Sequence, residues 1–166
     1  MKIRLERKND YFEVENLTRE AFWNVYRPGC FEHLVIHKLR DDSAFVKELD
    51  YVIELDSKII ANIVYAKGKI TLEDGSIQDT LIFGPVSVLP EYQKKGYGCK
   101  LINYTLELAS KIGYPFILIT GNPNYYKINL NNEKLSKNQN TNNLLLQSHI
   151  CYFKASMNFF LNNIYL

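Results

Sequence analysis

Cysteine and proline are sparse in this chain, and neither is spaced for a dedicated chemistry. Its 166 residues hold three cysteines, Cys30, Cys99 and Cys151, an odd number without C-x-x-C spacing, so neither a disulfide framework nor a cysteine-rich zinc site is signalled. No stretch approaches the roughly 18 apolar residues of a membrane span, and residues 1–7 lack the apolar core of a signal peptide. No membrane partner and a cytoplasmic, reduced location are therefore expected. A basic stripe is missing as well: the formal charge is +2, with lysines, arginines and acids interspersed, which argues against nucleic acid. His33 and His37 stand i,i+4 with Cys30 nearby, but no fourth ligand is signalled and no metal is expected.

What is present is more specific. One domain of this length can bury a core without disulfide or metal staples. Within it, residues 84–102 run from an apolar strand through a glycine-rich turn, Gln93-Lys94-Lys95-Gly96-Tyr97-Gly98-Cys99, straight into an amphipathic helix. Gly96 and Gly98 let the backbone turn tightly and approach a ligand, and the first N–H groups of a helix point at negative charge. A phosphorylated ligand fits such a cradle. It is not a Walker A loop, since Cys99-Lys100 follows Gly98, and not a dinucleotide fingerprint, since position 101 is Leu. Cys99 at a helix start reads either as a stabilised thiolate or as a small residue admitted beside the ligand.

Periodicity supplies the rest of the frame. A strand is expected over residues 2–6, then a helix opened by Asp10 and Glu13 in capping-box fashion, with Val14, Leu17, Ala21, Phe22 and Val25 on one face and Pro28-Gly29 at its end. A shorter helix over residues 31–40 should bury Phe31, Leu34, Val35 and Leu39. Three meandering strands follow, at residues 51–55, 59–71 and 77–89. The helix after the glycine turn carries Leu101, Ile102, Thr105, Leu108, Ala109 and Ile112 and stops at Gly113, ahead of a buried strand at 116–119. A strand, helix, strand crossover implies a parallel pair, so the sheet is mixed and the class α+β.

Both the Gln93-x-x-Gly96-x-Gly98 string after a strand broken by Gly84-Pro85 and this element order resemble the GNAT superfamily of N-acetyltransferases. The resemblance covers residues 1–126. It looks closest to a small bacterial branch whose fifth strand runs into Gly-Asp/Asn-Pro-x-x-Tyr, matched by Gly121-Asn122-Pro123-Asn124-Tyr125-Tyr126. Residues 127–166 depart from the family pattern, with no Gly or Pro after Pro123, and read as a divergent segment of the same domain or as the product of a shifted frame.

The resemblance implies an acetyl-CoA-dependent N-acetyltransferase acting on an amine of a small molecule or a protein, and leaves a homodimer open. Acetyl-CoA would lie along the backbone of Val86, Ser87 and Val88, freed where Gly84-Pro85 disrupts pairing, with its pyrophosphate on the N–H groups of Lys94 to Cys99. Gln93, Lys94 and Lys95 are side-chain candidates beside those backbone groups, and Asn122 would anchor the following loop or reach the cofactor. Tyr126, or Tyr125 if the register slips by one, would protonate the departing thiolate. No carboxylate stands in residues 81–89 to act as base, which leaves a water chain or an amine that arrives neutral. Trp23, Glu32 and His33 border the acceptor cleft in the resemblance. The alternative is an acyl-CoA-binding module without transferase activity.

Overall fold

The computed structural model describes residues 1–71, 74–114, 116–119 and 149–152. Six strands form one sheet in chain order: β1 (Lys2–Leu5), β2 (Tyr51–Leu55), β3 (Lys58–Thr71), β4 (Ile77–Val88), β5 (Phe116–Ile119) and β6 (His149–Tyr152). The pairs from β1 to β4 are antiparallel, while β4–β5 and β5–β6 are parallel, so the sheet is mixed as the crossover required. Between them lie α1 (Tyr11–Phe22), α2 (Glu32–Leu39) and α3 (Tyr97–Lys111). β2 and β3 turn over Asp56 and Ser57, both at positive φ, the pair of left-handed residues that a two-residue hairpin needs to match strand twist. Among the described residues, no helix is long and apolar enough to cross a membrane.

β3 is the spine. Every residue from Ile59 to Ala66 is buried, which requires cover on both faces. Side chains alternate along a strand, so Asn62 and Tyr65 face opposite ways. Asn62 lies opposite Ser87, whose Oγ is 2.9 Å from Thr18 Oγ1 of α1; Tyr65 turns to α3, its hydroxyl 2.8 Å from Thr105 Oγ1. Thus α1 covers one face and α3 the other. The apolar core runs through both layers, from Val14, Leu17 and Ile36 to Ile60, Ile63, Leu101 and Ile102.

Several local expectations are corrected. The Asp10 carboxylate does not cap forward with Glu13; it accepts from the Arg7 N–H at 2.7 Å and from the Arg4 guanidinium at 2.6 Å, while Glu13 accepts from the Ile59 N–H at 2.9 Å. The first helix ends at Phe22, well before Pro28, so Val25 lies beyond it and is exposed. In α2 the buried residues are Ile36 and Leu39, with Phe31 and Leu34 exposed, a stripe rotated from the expected one. Ile112 is exposed past the end of α3, and Gly113 at φ +90° stops that helix as expected. β6 places a strand within residues 127–166, which the sequence read only as a divergent segment.

Arg40 sets the rotation of α2. Its guanidinium is almost wholly buried, bonding Glu6 at 2.7 Å and Glu15 at 2.5 Å while lying 3.9 Å from the Tyr11 ring centroid. Next to Glu6, the buried Asp50 accepts from Asn62 Nδ2 at 3.0 Å. Burial first, and then its hydrogen bond with the Glu6 carboxylate, push the Asp50 pKa up to about 9. The folded chain therefore holds a proton that the unfolded chain releases near pH 4, so this group makes stability fall as pH rises from about 4 to about 9, and contributes no further slope above that. Asp50→Asn keeps the shape and the neutral charge. It is expected to stabilise by roughly 1–3 kcal/mol at pH 7 and to flatten the profile, read from urea unfolding at pH 5, 7 and 9. Parallel profiles for the two proteins would contradict the assignment.

Candidate functional site

The site begins where β4 parts from its neighbours. Ile63 pairs with Val86 and Tyr65 with Phe83, so β4 carries one extra residue at Gly84-Pro85, where Gly84 takes φ +130°, open only to glycine. Among the described residues, the β4–β5 ladder covers Leu81, Ile82 and Phe83. Beyond the bulge, among the described residues, no strand pairs the β5-side edge of Val86 to Val88.

The direction of that edge follows from one bond. The Leu89 N–H reaches Ile60 O at 3.0 Å, toward β3, and alternate residues of an antiparallel strand share a direction. Ser87 therefore also faces β3 with its backbone, and the peptide groups of Val86 and Val88 point the other way, into the gap. The Val88 carbonyl is already taken by Gln93 Nε2 at 3.0 Å, which leaves, among the described residues, the Val88 N–H and both polar groups of Val86. Ser87 contributes no side chain to the gap, since its hydroxyl is buried against Thr18.

From Val88 the chain makes a 3-10 turn over Pro90–Tyr92 and enters the glycine segment. Lys94 and Gly96 both stand at positive φ, +59° and +83°, which folds the backbone back before α3 begins at Tyr97. The helical ladder opens with Lys100 N–H donating to Gly96 O at 3.0 Å. The N–H groups of Tyr97, Gly98 and Cys99 precede it and have no partner within the helix. Gly98, the second residue of α3, is buried and brings no side chain of its own to this end of the helix. Fifteen residues of α3 place the positive end of its dipole there. Burial pushes the Cys99 thiol up, which opposes the thiolate reading and favours a small residue beside the turn.

Lys94 and Lys95 are exposed, and the Lys95 ammonium lies 5.5 Å from the Tyr92 ring centroid. Sequence reasoning passed over Tyr92. It stands immediately before Gln93, packs edge-on against Tyr97 with centroids 6.1 Å apart, and also carries Lys58 at 5.7 Å. An aromatic five residues ahead of the one that starts the helix was the available signal.

The acceptor-side candidates lie around the connection from α1 to α2. Trp23 is exposed at the end of α1 and lines, with Arg19, Glu20 and Pro90, a shallow open cleft of about 280 Å³ between α1 and the turn after β4. Glu32 and His33 are engaged locally: the Glu32 carboxylate accepts from the Phe31 N–H at 2.9 Å, and His33 Nδ1 is 3.3 Å from Cys30 Sγ. Burial, followed by Arg19, holds the His33 pKa below the usual imidazole range, and burial raises the Cys30 thiol, so the two meet as neutral groups. His37 bonds Glu15 instead, at 3.0 Å. Among the described residues, no three His, Cys, Asp or Glu side chains gather to hold a metal. Asn122, Tyr125 and Tyr126 lie outside the described residues.

A strand edge opened by a bulge thus leads through a glycine turn to the N-terminus of a helix. The model of the acetyltransferase (GNAT) family matches residues 10–134. The chain belongs to the GNAT acetyltransferase family. A GNAT acetyltransferase from Brucella melitensis, solved with acetyl-CoA, is similar at 30% identity over 76% of this chain and 79% of its own, with a TM-score of 0.67. A GNAT N-acetyltransferase from Escherichia coli, solved with CoA, matches at 22% identity over 76% of this chain and 66% of its own, TM-score 0.66. An aminoglycoside 6′-N-acetyltransferase from Acinetobacter haemolyticus shares the fold at 12% identity, covering 89% and 97% of the two chains with a TM-score of 0.56. Among curated proteins, no sequence matches significantly.

Proposed function

We propose that this acetyltransferase moves the acetyl group of acetyl-CoA directly onto a primary amine. The single observation that carries the reading is the continuity of the β4 edge, unpaired among the described residues, with the α3 N-terminus. An amide-bearing arm can lie along Val86 and Val88 as an added strand and end with its pyrophosphate on the N–H groups of Tyr97, Gly98 and Cys99. Acetyl-CoA has both parts, joined in that order. The two GNAT structures solved with acetyl-CoA and with CoA support the same donor.

In the reaction the amine nitrogen attacks the thioester carbonyl, a C–N bond forms, and the C–S bond breaks. The amine loses one proton and the thiolate gains one. Tyr126 is assigned the gain as general acid, on the family motif that it ends, with its phenol restored from the proton that the amine releases through water. The acceptor approaches past Trp23, Glu32 and His33.

The test measures binding and turnover separately. Calorimetry with acetyl-CoA should show one site per chain, and release of CoA thiol should appear with at least one member of a primary-amine panel. No heat with acetyl-CoA would sink the donor assignment. Binding with no thiol release under any amine would instead identify an acyl-CoA-binding module.

A further inference from the structure

We propose that Tyr92 is a positioning residue for the acyl donor, holding the Lys95 ammonium at the mouth of the turn where that cation meets the donor's phosphates. The inference rests on the acetyl-CoA reading above. Tyr92 is fixed from three sides: its N–H bonds Leu89 O at 2.8 Å, its ring meets Tyr97 edge-on at 71°, and its body packs partly buried against the core. Two ammonium groups share that ring, Lys58 at 5.7 Å and Lys95 at 5.5 Å. Glu91 neutralises Lys58 at 2.9 Å, whereas no ion pair engages Lys95 among the described residues.

Lys95 thus lacks a direct ion-pair partner among the described residues, feeling Glu91 only at longer range, and it stands one residue before the cap of α3. A positive charge at the positive end of a helix dipole is repelled, so solvent and rotamer freedom would both draw a lysine away from there. The face of an aromatic ring attracts an ammonium within about 6 Å and opposes that drift. When a pyrophosphate arrives, the repulsion turns into a shared attraction, and the ordering of the side chain has already been met in the free protein. The ring thus converts a mobile surface lysine into a preorganised phosphate contact.

The experiment is calorimetric titration of acetyl-CoA into the wild type, Tyr92→Leu, Tyr92→Phe, Lys95→Met and the double variant Tyr92→Leu/Lys95→Met. Removal of the ring should weaken binding about 3- to 5-fold, the range of an exposed cation–ring contact, while Tyr92→Phe keeps the affinity. Lys95→Met should lose at least as much, and the double variant should be no weaker than Lys95→Met alone. S-acetylpantetheine, which lacks the pyrophosphate, should bind all five proteins alike when measured by competition. Wild-type affinity in Tyr92→Leu, additive losses in the double variant, or equal weakening of S-acetylpantetheine would each overturn the inference. Should Tyr92→Leu fail to fold, Lys95→Met alone decides, since normal affinity there is equally fatal. A wild type that does not bind acetyl-CoA would remove the functional reading itself, a result distinct from binding that ignores Tyr92.

Discussion

Gly98→Val is expected to weaken acetyl-CoA binding by roughly 1–2 kcal/mol, about 5- to 30-fold, which is the order of a lost anion site at a helix terminus. Gly98 is buried at the second position of α3, among the three N–H groups that lie ahead of the helical ladder. A branched side chain there covers those groups and keeps a phosphate from them. Gly96→Ala is the informative contrast. A methyl group on Gly96 would meet only open space, but the residue stands at φ +83°, so its substitution strains the backbone without filling the site. It should lower the melting temperature by an amount matching about 1–2 kcal/mol, the usual cost of a left-handed alanine. If Gly98→Val folds and binds acetyl-CoA normally by calorimetry, the α3 N-terminus is not the phosphate site.

Tyr126→Phe should lower kcat by roughly 10²-fold or more while leaving acetyl-CoA affinity nearly unchanged. The substitution keeps the ring and removes only the hydroxyl, so an effect confined to turnover marks an interaction made in the transition state. Tyr125→Phe serves as the control for register. Should the control alone be impaired, the phenol one residue earlier is the acid; should both turn over normally, water protonates the leaving thiolate.

How much of this was legible in the sequence depended on how local each cause was. The bounds of β2 and β5 match their expected residues because short apolar runs there are closed by strong punctuation, Asp56-Ser57 after one and Gly113 before the other. The bulge and the glycine turn were legible for the same reason, since glycine and proline act on their own backbone. The buried stripe of α2 was not. Phe31, Leu34, Val35, Ile36 and Leu39 support more than one helical face, and the choice is made by Arg40 reaching Glu6 and Glu15 on other elements. Tyr92 was missed for a related reason: one of its two cations, Lys58, arrives from β3, far along the chain. At α1, the apolar pattern continued past the helix to Val25, but the chain turns at Trp23 and the backbone of Asn24 bonds Gly29 O instead.

The two hydroxyl contacts on either side of the sheet have a consequence for how the molecule tolerates drift in its core. Apolar packing is non-directional, so a helix resting on leucine and isoleucine alone can roll or slide by a fraction of a turn with little loss. A hydrogen bond between oxygens loses most of its strength over the same travel. Thr18 with Ser87, and Tyr65 with Thr105, therefore work as dowels: one pins α1 to β4 just beyond the bulge, the other pins α3 to β3. The second dowel sits two turns into α3, and the rigid helix carries its fixed position back to Gly98. Volume-preserving exchanges among the surrounding aliphatic residues can accumulate without moving the phosphate-facing end of the helix against the β4 edge.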